Sequence, residues 1–122
     1  MPHLFLGVSI KAIEAVAETI ALTEALGLDP HLFVETIADG PLGSPYAVTK
    51  ARGMLAGEFT PGFALGLAYK DVGLALDAAR ERHLELPVAE AVAPRWQEAI
   101  ADGHADEDVS SVIAVAAPHA AV

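Results

Sequence analysis

In the stretch Lys70-Asp71-Val72-Gly73-Leu74-Ala75-Leu76-Asp77, one ammonium and two carboxylates stand in an apolar segment running from about Phe63 to Ala79. A lysine so placed brings three N–H donors to any carbonyl or anionic group that can reach it. In a helix, at roughly 100° per residue, Lys70 and Asp77 fall nearly in register two turns apart. Gly66 and Gly73 flank the lysine on that side. Each interior glycine costs roughly 1 kcal/mol relative to alanine, so this strip predicts a close approach by another backbone or by a ligand. The plainer alternative is a solvated or ion-paired Lys–Asp beside glycines that only let helices pack tightly. The remaining circumference, Leu65, Leu67, Ala68, Val72, Leu74, Ala75, Leu76, Ala78 and Ala79, is expected to be buried.

These eight residues resemble the K-D-L-G-x-A-x-D signature of the β-hydroxyacid dehydrogenases. That family includes 3-hydroxyisobutyrate dehydrogenase, tartronate semialdehyde reductase and, more distantly, 6-phosphogluconate dehydrogenase. The resemblance implies that Lys70 reaches the nicotinamide of an NAD or NADP cofactor and that the signature lies in an all-helical C-terminal domain. Asp77 then reads as a structural partner of the site, and Asp71 as a partner for Lys70. Two further stretches are similar to the family. Ala17 to Asp29 matches a helix end of the form A-E-A-x-x-L-x-x-x-x-G-L-D, and Gly103 to Val112 matches a closing G-x-x-x-x-D-x-S-A. The resemblance spans about Ala12 to Ile113.

The catalytic motif departs from the family. Counting back from Gly27-Leu28-Asp29 puts the family's catalytic lysine at Pro2 and its asparagine at Leu6, so no catalytic residue is carried over. Lys11 lies nine residues along, which turns it to the opposite side of a helix. The dinucleotide fingerprint G-x-G-x-x-G does not occur. The chain therefore reads as a single domain, residues 1–122, similar to the substrate and dimerisation domain of such an enzyme without its dinucleotide-binding half. On its own it is expected to be inert. Two other classes stay open: a free-standing helical interaction module that has lost the chemistry, and a small-ligand domain using the cleft beside Lys70.

Composition agrees with a single domain that has partners. Hydrophobic residues make up 53% of the chain, and mean hydropathy is +0.42. This surplus predicts apolar surface covered by a second copy or another domain, hence a homodimer. Seventeen acidic against seven basic residues give a net charge of −10, which repels phosphate backbones and argues against nucleic-acid binding. The same field makes the chain a poor dinucleotide site by itself. There is no cysteine, so disulfides and thiolate metal sites are excluded. No apolar run reaches the roughly 18 residues of a membrane span. The apolar patch Leu4 to Val8 lacks a basic leader, so a cytoplasmic protein is expected.

Caps and breakers predict an all-α fold of five or six helices packed round a central helix at about residues 63–82. Helix one runs from about Leu4 to Leu26, with Val8, Ala12, Ile13, Val16, Ile20 and Leu26 as its apolar face, Glu14 among its polar insertions, and Gly27 ending it. Asp29-Pro30 and Ser44-Pro45 are cap-plus-proline starts for helices reaching about Ala38 (burying Leu32, Phe33 and Ile37) and Leu55. Arg80, Arg82 and His83 suit the negative end of the central helix. Leu86-Pro87 opens a helix to about Ala101, with Pro94 expected to kink it and Trp96 in the core or an interface. A last helix, about Glu107 to Ala116, takes Asp106 as its cap, and Pro118 to Val122 forms a tail. Asp102, His104, Asp106 and Asp108 alternate, but a calcium loop needs glycine where Glu107 stands and glutamate where Ile113 stands. No metal site is assigned. Ser44, Ser110 and Ser111 read as caps or packing.

Overall fold

The computed structural model describes the backbone of residues 2–116 and the side chains of residues 7–116; the tail from Pro118 lies outside the described residues. The elements are α1 (Pro2–Ala25), α2 (Pro30–Ala38), α3 (Pro45–Ala56), α4 (Leu65–Glu81), α5 (Pro87–Ala99), a π-helical turn (Ile100–His104), a 3-10 turn (Val109–Val112) and α6 (Ile113–Ala116). The class is all-α with six α-helices among the described residues, as the caps predict. The one extended pairing there is an isolated bridge between Ala64 and Asp108.

The starts follow from local chemistry. The Asp29 carboxylate accepts the His31 N–H at 2.9 Å, and the Ser44 hydroxyl oxygen accepts the Ala47 N–H at 3.1 Å. Each thereby satisfies one N–H that a helix start leaves without an internal partner. Pro30 and Pro45 follow at the first helical position. Helix α5 runs through Pro94 as one helix. The last helix differs from expectation. Its cap is Asp108, not Asp106, because the Asp108 carboxylate accepts the Ser110 N–H at 3.0 Å. A 3-10 turn then precedes the short α6.

Helix α1 is the element that most others touch: it packs against α2, α3, α4, α5, α6 and the 3-10 turn. Its 24 residues make it the longest helix, and at 1.5 Å per residue it reaches about 36 Å, enough to back the whole domain. Ile10, Ile13, Val16, Ala17 and Ile20 form its buried face, while Val8 and Leu26 are exposed. Helix α4 packs against α1, α5 and both irregular turns. It buries Leu65, Ala68, Val72, Leu76 and Ala79. The expectation of burial all round is not met, since Leu67 is 60% and Leu74 49% exposed. Apolar residues at every angle did not discriminate an inner from an outer face. In α2 the buried residue is Val34; Leu32 faces out, and Phe33 and Ile37 are only half-buried. Trp96, Ile13, Ile20, Met54, Leu65 and Ile113 are the largest fully buried side chains around which these helices close.

Candidate functional site

The start of α4 is held from outside the helix. Ala64 caps it with no side-chain hydrogen bond. The first N–H groups go instead to the segment after the π-turn, Leu65 N–H to Glu107 O at 2.8 Å and Gly66 N–H to Ala105 O at 2.9 Å. A Cβ built on Gly66 would lie 3.2 Å from Ala105 O, so this glycine serves a close backbone approach.

Beneath that junction lies a buried polar node. Lys50 Nζ donates to both Asp108 carboxylate oxygens, at 2.9 and 2.8 Å. Asp108 also accepts from Gly62 N–H at 3.0 Å, Phe63 N–H at 3.1 Å and the Ser110 hydroxyl at 2.8 Å. Burial alone would raise the Asp108 carboxyl. The Lys50 ammonium, the N–H groups of Phe63 and Ser110 and the Ser110 hydroxyl more than offset it, holding the group far below the usual carboxylate range. Lys50 Nζ also sits 5.5 Å from the centroid of the Tyr46 ring. One carboxylate thus ties α3, the loop before α4 and the 3-10 turn together. It fixes where α4 begins and therefore where Lys70 stands.

Lys70 is exposed on α4, and among the described residues it has no hydrogen-bond or ion-pair partner. Asp71 does not pair with it. Asp77 is taken by Arg80, whose guanidinium donates to it at 3.0 Å. A Cβ built on Gly73 would meet nothing within 4 Å. One of the two glycines flanking Lys70 is therefore explained by a backbone neighbour, and the other faces open space. Exposed Leu67 and Leu74 border the same strip. The result is an unpaired ammonium beside a side-chain-free patch with apolar edges.

A concavity lies elsewhere. About 550 Å³ opens between α1, α4 and α5, with Lys11, Val72, Ala75, Ala79, Arg82 and Leu86 among its walls. At 100° per residue these α4 positions point away from Lys70. Lys11 is thus separated from Lys70 by the body of α4, and Pro2 begins α1 with its side chain outside the described residues. Glu14, expected as a polar insertion, is 4% exposed. Its Oε1 accepts the Trp96 indole N–H at 3.0 Å, and its Oε2 has no partner among the described residues. Burial pushes the Glu14 carboxyl up from its usual 4.5, the Trp96 bond pulls it back, Glu18 adds to the rise and Arg95 opposes it. The alternating acidic run diverges: Asp108 faces Lys50, the His104 ring bonds to Glu107, and Asp102 and Asp106 face solvent.

The match of chain to family is broad. The family model described as "NAD-binding of NADP-dependent 3-hydroxyisobutyrate dehydrogenase" matches residues 8–116. The chain belongs to this family. Among curated relatives, the chloroplastic glyoxylate/succinic semialdehyde reductase 2 of Arabidopsis thaliana is 34% identical over 97 residues, 80% of this chain and 27% of the relative. The 2-(hydroxymethyl)glutarate dehydrogenase of Eubacterium barkeri is 33% identical over 115 residues, 93% of this chain and 37% of the relative. This member of the family therefore spans about a third of the length of those proteins. The structure of Mycobacterium tuberculosis 3-hydroxyisobutyrate dehydrogenase with L-serine overlays with a TM-score of 0.79 at 30% identity, covering 92% of this chain and 40% of that one. That of Salmonella typhimurium 3-hydroxyisobutyrate dehydrogenase has a TM-score of 0.87 at 24% identity, covering 93% and 40%, and confirms the fold.

The residues around Lys70 fit the cofactor class of this family. A nicotinamide dinucleotide presents carboxamide, hydroxyl and phosphate oxygens, all acceptors for an ammonium with three free donors. Gly73 leaves room for a group to come against the helix backbone. Of the two carboxylates in this stretch, Asp77 is already paired with Arg80, and Asp71 lies about 100° round the helix from Lys70. Lys50 and Asp108 are what sequence reasoning missed. Fifty-eight residues separate them, so no local pattern joins them, although the Asp-x-Ser spacing of Asp108 and Ser110 is itself a capping signal.

Proposed function

We propose that this chain is the helical domain of an NAD(P)-dependent β-hydroxyacid dehydrogenase acting on a small 3-hydroxy acid. In it Lys70 contacts the cofactor carried by a dinucleotide-binding domain. The observation that carries this reading is the unpaired Lys70 beside the open Gly73, within a domain of this family. When bound, the nicotinamide supplies or accepts the hydride. The chain's own part is to position. Lys70 donates to a cofactor oxygen, exposed Leu67 and Leu74 shed water as the second domain closes over them, and the Asp108 node keeps α4 in register. Pro2, which has no side-chain proton, stands at the position of the lysine that handles the proton in the family. The isolated chain is therefore inert. A homodimer and a cytoplasmic setting, where NAD(P) is supplied, belong to the same reading, and the exposed leucines and valines support the first.

The test is NADH and NADPH oxidation with small semialdehydes. The chain alone gives no turnover. Fused behind the dinucleotide-binding half of the M. tuberculosis relative, it quenches or enhances reduced-cofactor fluorescence on binding. Turnover by the isolated chain contradicts the inertness, and a folded fusion that binds no cofactor contradicts the reading as a whole.

A further inference from the structure

Glu14 has more acceptor capacity than the fold uses. It is 4% exposed. The Trp96 indole N–H donates to its Oε1 at 3.0 Å, and Oε2 has no partner among the described residues. An ionised carboxylate offers about four acceptor positions, whereas an indole brings one donor. Buried polar atoms without partners are few and costly, so each calls for its own explanation. Holding Trp96 does not explain this one. A glutamine would present the same Oε1 to the indole without burying a charge. What glutamate adds is negative charge and a second acceptor oxygen.

Glu14 is also a wall of a groove. About 370 Å³ opens between α1 and α5, and Glu14 lines it together with Ala15, Pro87, Val88, Ala91 and Val92. Three further charges border it, Lys11 and Glu18 from α1 and Arg95 from α5. Arg95 is engaged by Glu98 at 3.5 Å. Lys11 also borders the cavity that reaches α4, and the charges acting on Glu14 are those of Glu18 and Arg95. Glu18 is exposed and has no ion-pair partner among the described residues. Four residues apart, the two glutamates lie on one side of α1, about 6 Å from each other along its axis.

A buried acceptor, a second carboxylate one turn away and an apolar bed select a cation that has N–H donors and a hydrocarbon chain. Calcium takes six to eight oxygen ligands, and no group of three or more ligating side chains occurs among the described residues. An anion would meet two carboxylates. The net charge of −10 draws cations toward the chain as a whole. We propose that the groove between α1 and α5 binds a small primary alkylammonium ion, which donates to Glu14 Oε2 while its chain lies on Pro87, Val88 and Ala91. Glu18 adds its charge from the next turn. The ionised Glu14 is the binding form. Burial raises that carboxyl, so the amine binds more tightly as pH rises through the raised value. The walls belong to α1 and α5, so the site requires neither Lys70 nor a second domain and stands apart from the cofactor reading.

The chain's single tryptophan is the reporter, because Trp96 touches the same carboxylate. n-Butylammonium chloride is titrated into the chain at about pH 8 and about pH 5, where an alkylammonium is charged throughout, and followed by Trp96 fluorescence and thermal midpoint. The expected result is a saturable change in the millimolar range with a raised midpoint, weaker at the lower pH. Sodium n-butyrate at matched ionic strength gives neither. Glu14→Gln keeps the bond to Trp96 and weakens the amine about tenfold or more, and Glu18→Gln weakens it severalfold. Ala91→Phe, at an exposed wall position, fills the groove and abolishes binding with Glu14 and Trp96 untouched, so the outcome does not hang on the buried variant. No saturable response to butylammonium overturns the proposal and leaves Oε2 to solvent. A response that butyrate reproduces, or one that survives both Glu14→Gln and Ala91→Phe, overturns it as well.

Discussion

Lys50 and Lys70 lie twenty residues apart and have opposite surroundings. Lys50 is half-buried, bonded to both oxygens of the buried Asp108 and placed over the Tyr46 ring. Lys70 is exposed and has no partner among the described residues. The same side chain serves the fold in one place and is available for chemistry in the other. What distinguishes them is satisfaction: the Lys50 ammonium is held by a buried carboxylate that must be paired to persist, whereas an exposed ammonium beside an open glycine is free to meet a ligand.

The comparison breaks most visibly at Lys50. Lys50→Ala leaves the Asp108 carboxylate buried without its cation and is expected to cost about 3 kcal/mol or more, read as a large drop in thermal midpoint. An unchanged midpoint would mean that the node is ornamental.

The next effect is in the pH dependence, where two buried carboxyls act in opposite senses. Asp108 has a folded-state value below its ordinary 3.8, so its contribution is present above that pH and is lost as pH falls toward the folded value. Glu14 has a folded-state value above its ordinary 4.5. The folded chain therefore holds that proton longer than the unfolded chain, and stability declines as pH rises from 4.5 through the folded value. A denaturation series should give a maximum between the two limbs, and Glu14→Gln should flatten the upper one. A slope above pH 4.5 unchanged by that substitution would exclude Glu14 as its source.

Smaller effects separate the two glycines. Gly73→Ala meets open space and should stabilise α4 by about 0.5–1 kcal/mol through helix propensity, while weakening cofactor binding in the fused enzyme. Gly66→Ala should gain less or lose, because the new methyl presses on Ala105 O at 3.2 Å. Equal stabilisation by both substitutions would remove the distinction drawn between them.

Much of this arrangement is legible in the sequence. Cap-plus-proline pairs at Asp29-Pro30 and Ser44-Pro45 place two helix starts, and the eight-residue signature places Lys70 on α4. What is not legible depends on partners distant in the chain. Glu14 reads as solvated because its indole partner is 82 residues away. The last cap is Asp108 instead of Asp106, since it is the Asp108 carboxylate, held by Lys50 from 58 residues away, that accepts the Ser110 N–H. The outer face of α4 could not be told from the inner because Leu67 and Leu74 are as apolar as Leu65 and Leu76. Hydropathy reports what a residue prefers, and exposure here depends on what else the fold leaves to cover it.

The most direct test of the account is to measure thermal midpoint and NADPH affinity together for Lys70→Ala in the fused enzyme. An exposed unpaired lysine contributes within about 0.5 kcal/mol to stability, whereas a charge-assisted hydrogen bond to a ligand is worth about 1.5–3 kcal/mol. The account predicts an unchanged midpoint and a cofactor dissociation constant raised about tenfold or more. A lowered midpoint with unchanged affinity would show that Lys70, like Lys50, serves the fold and not the cofactor.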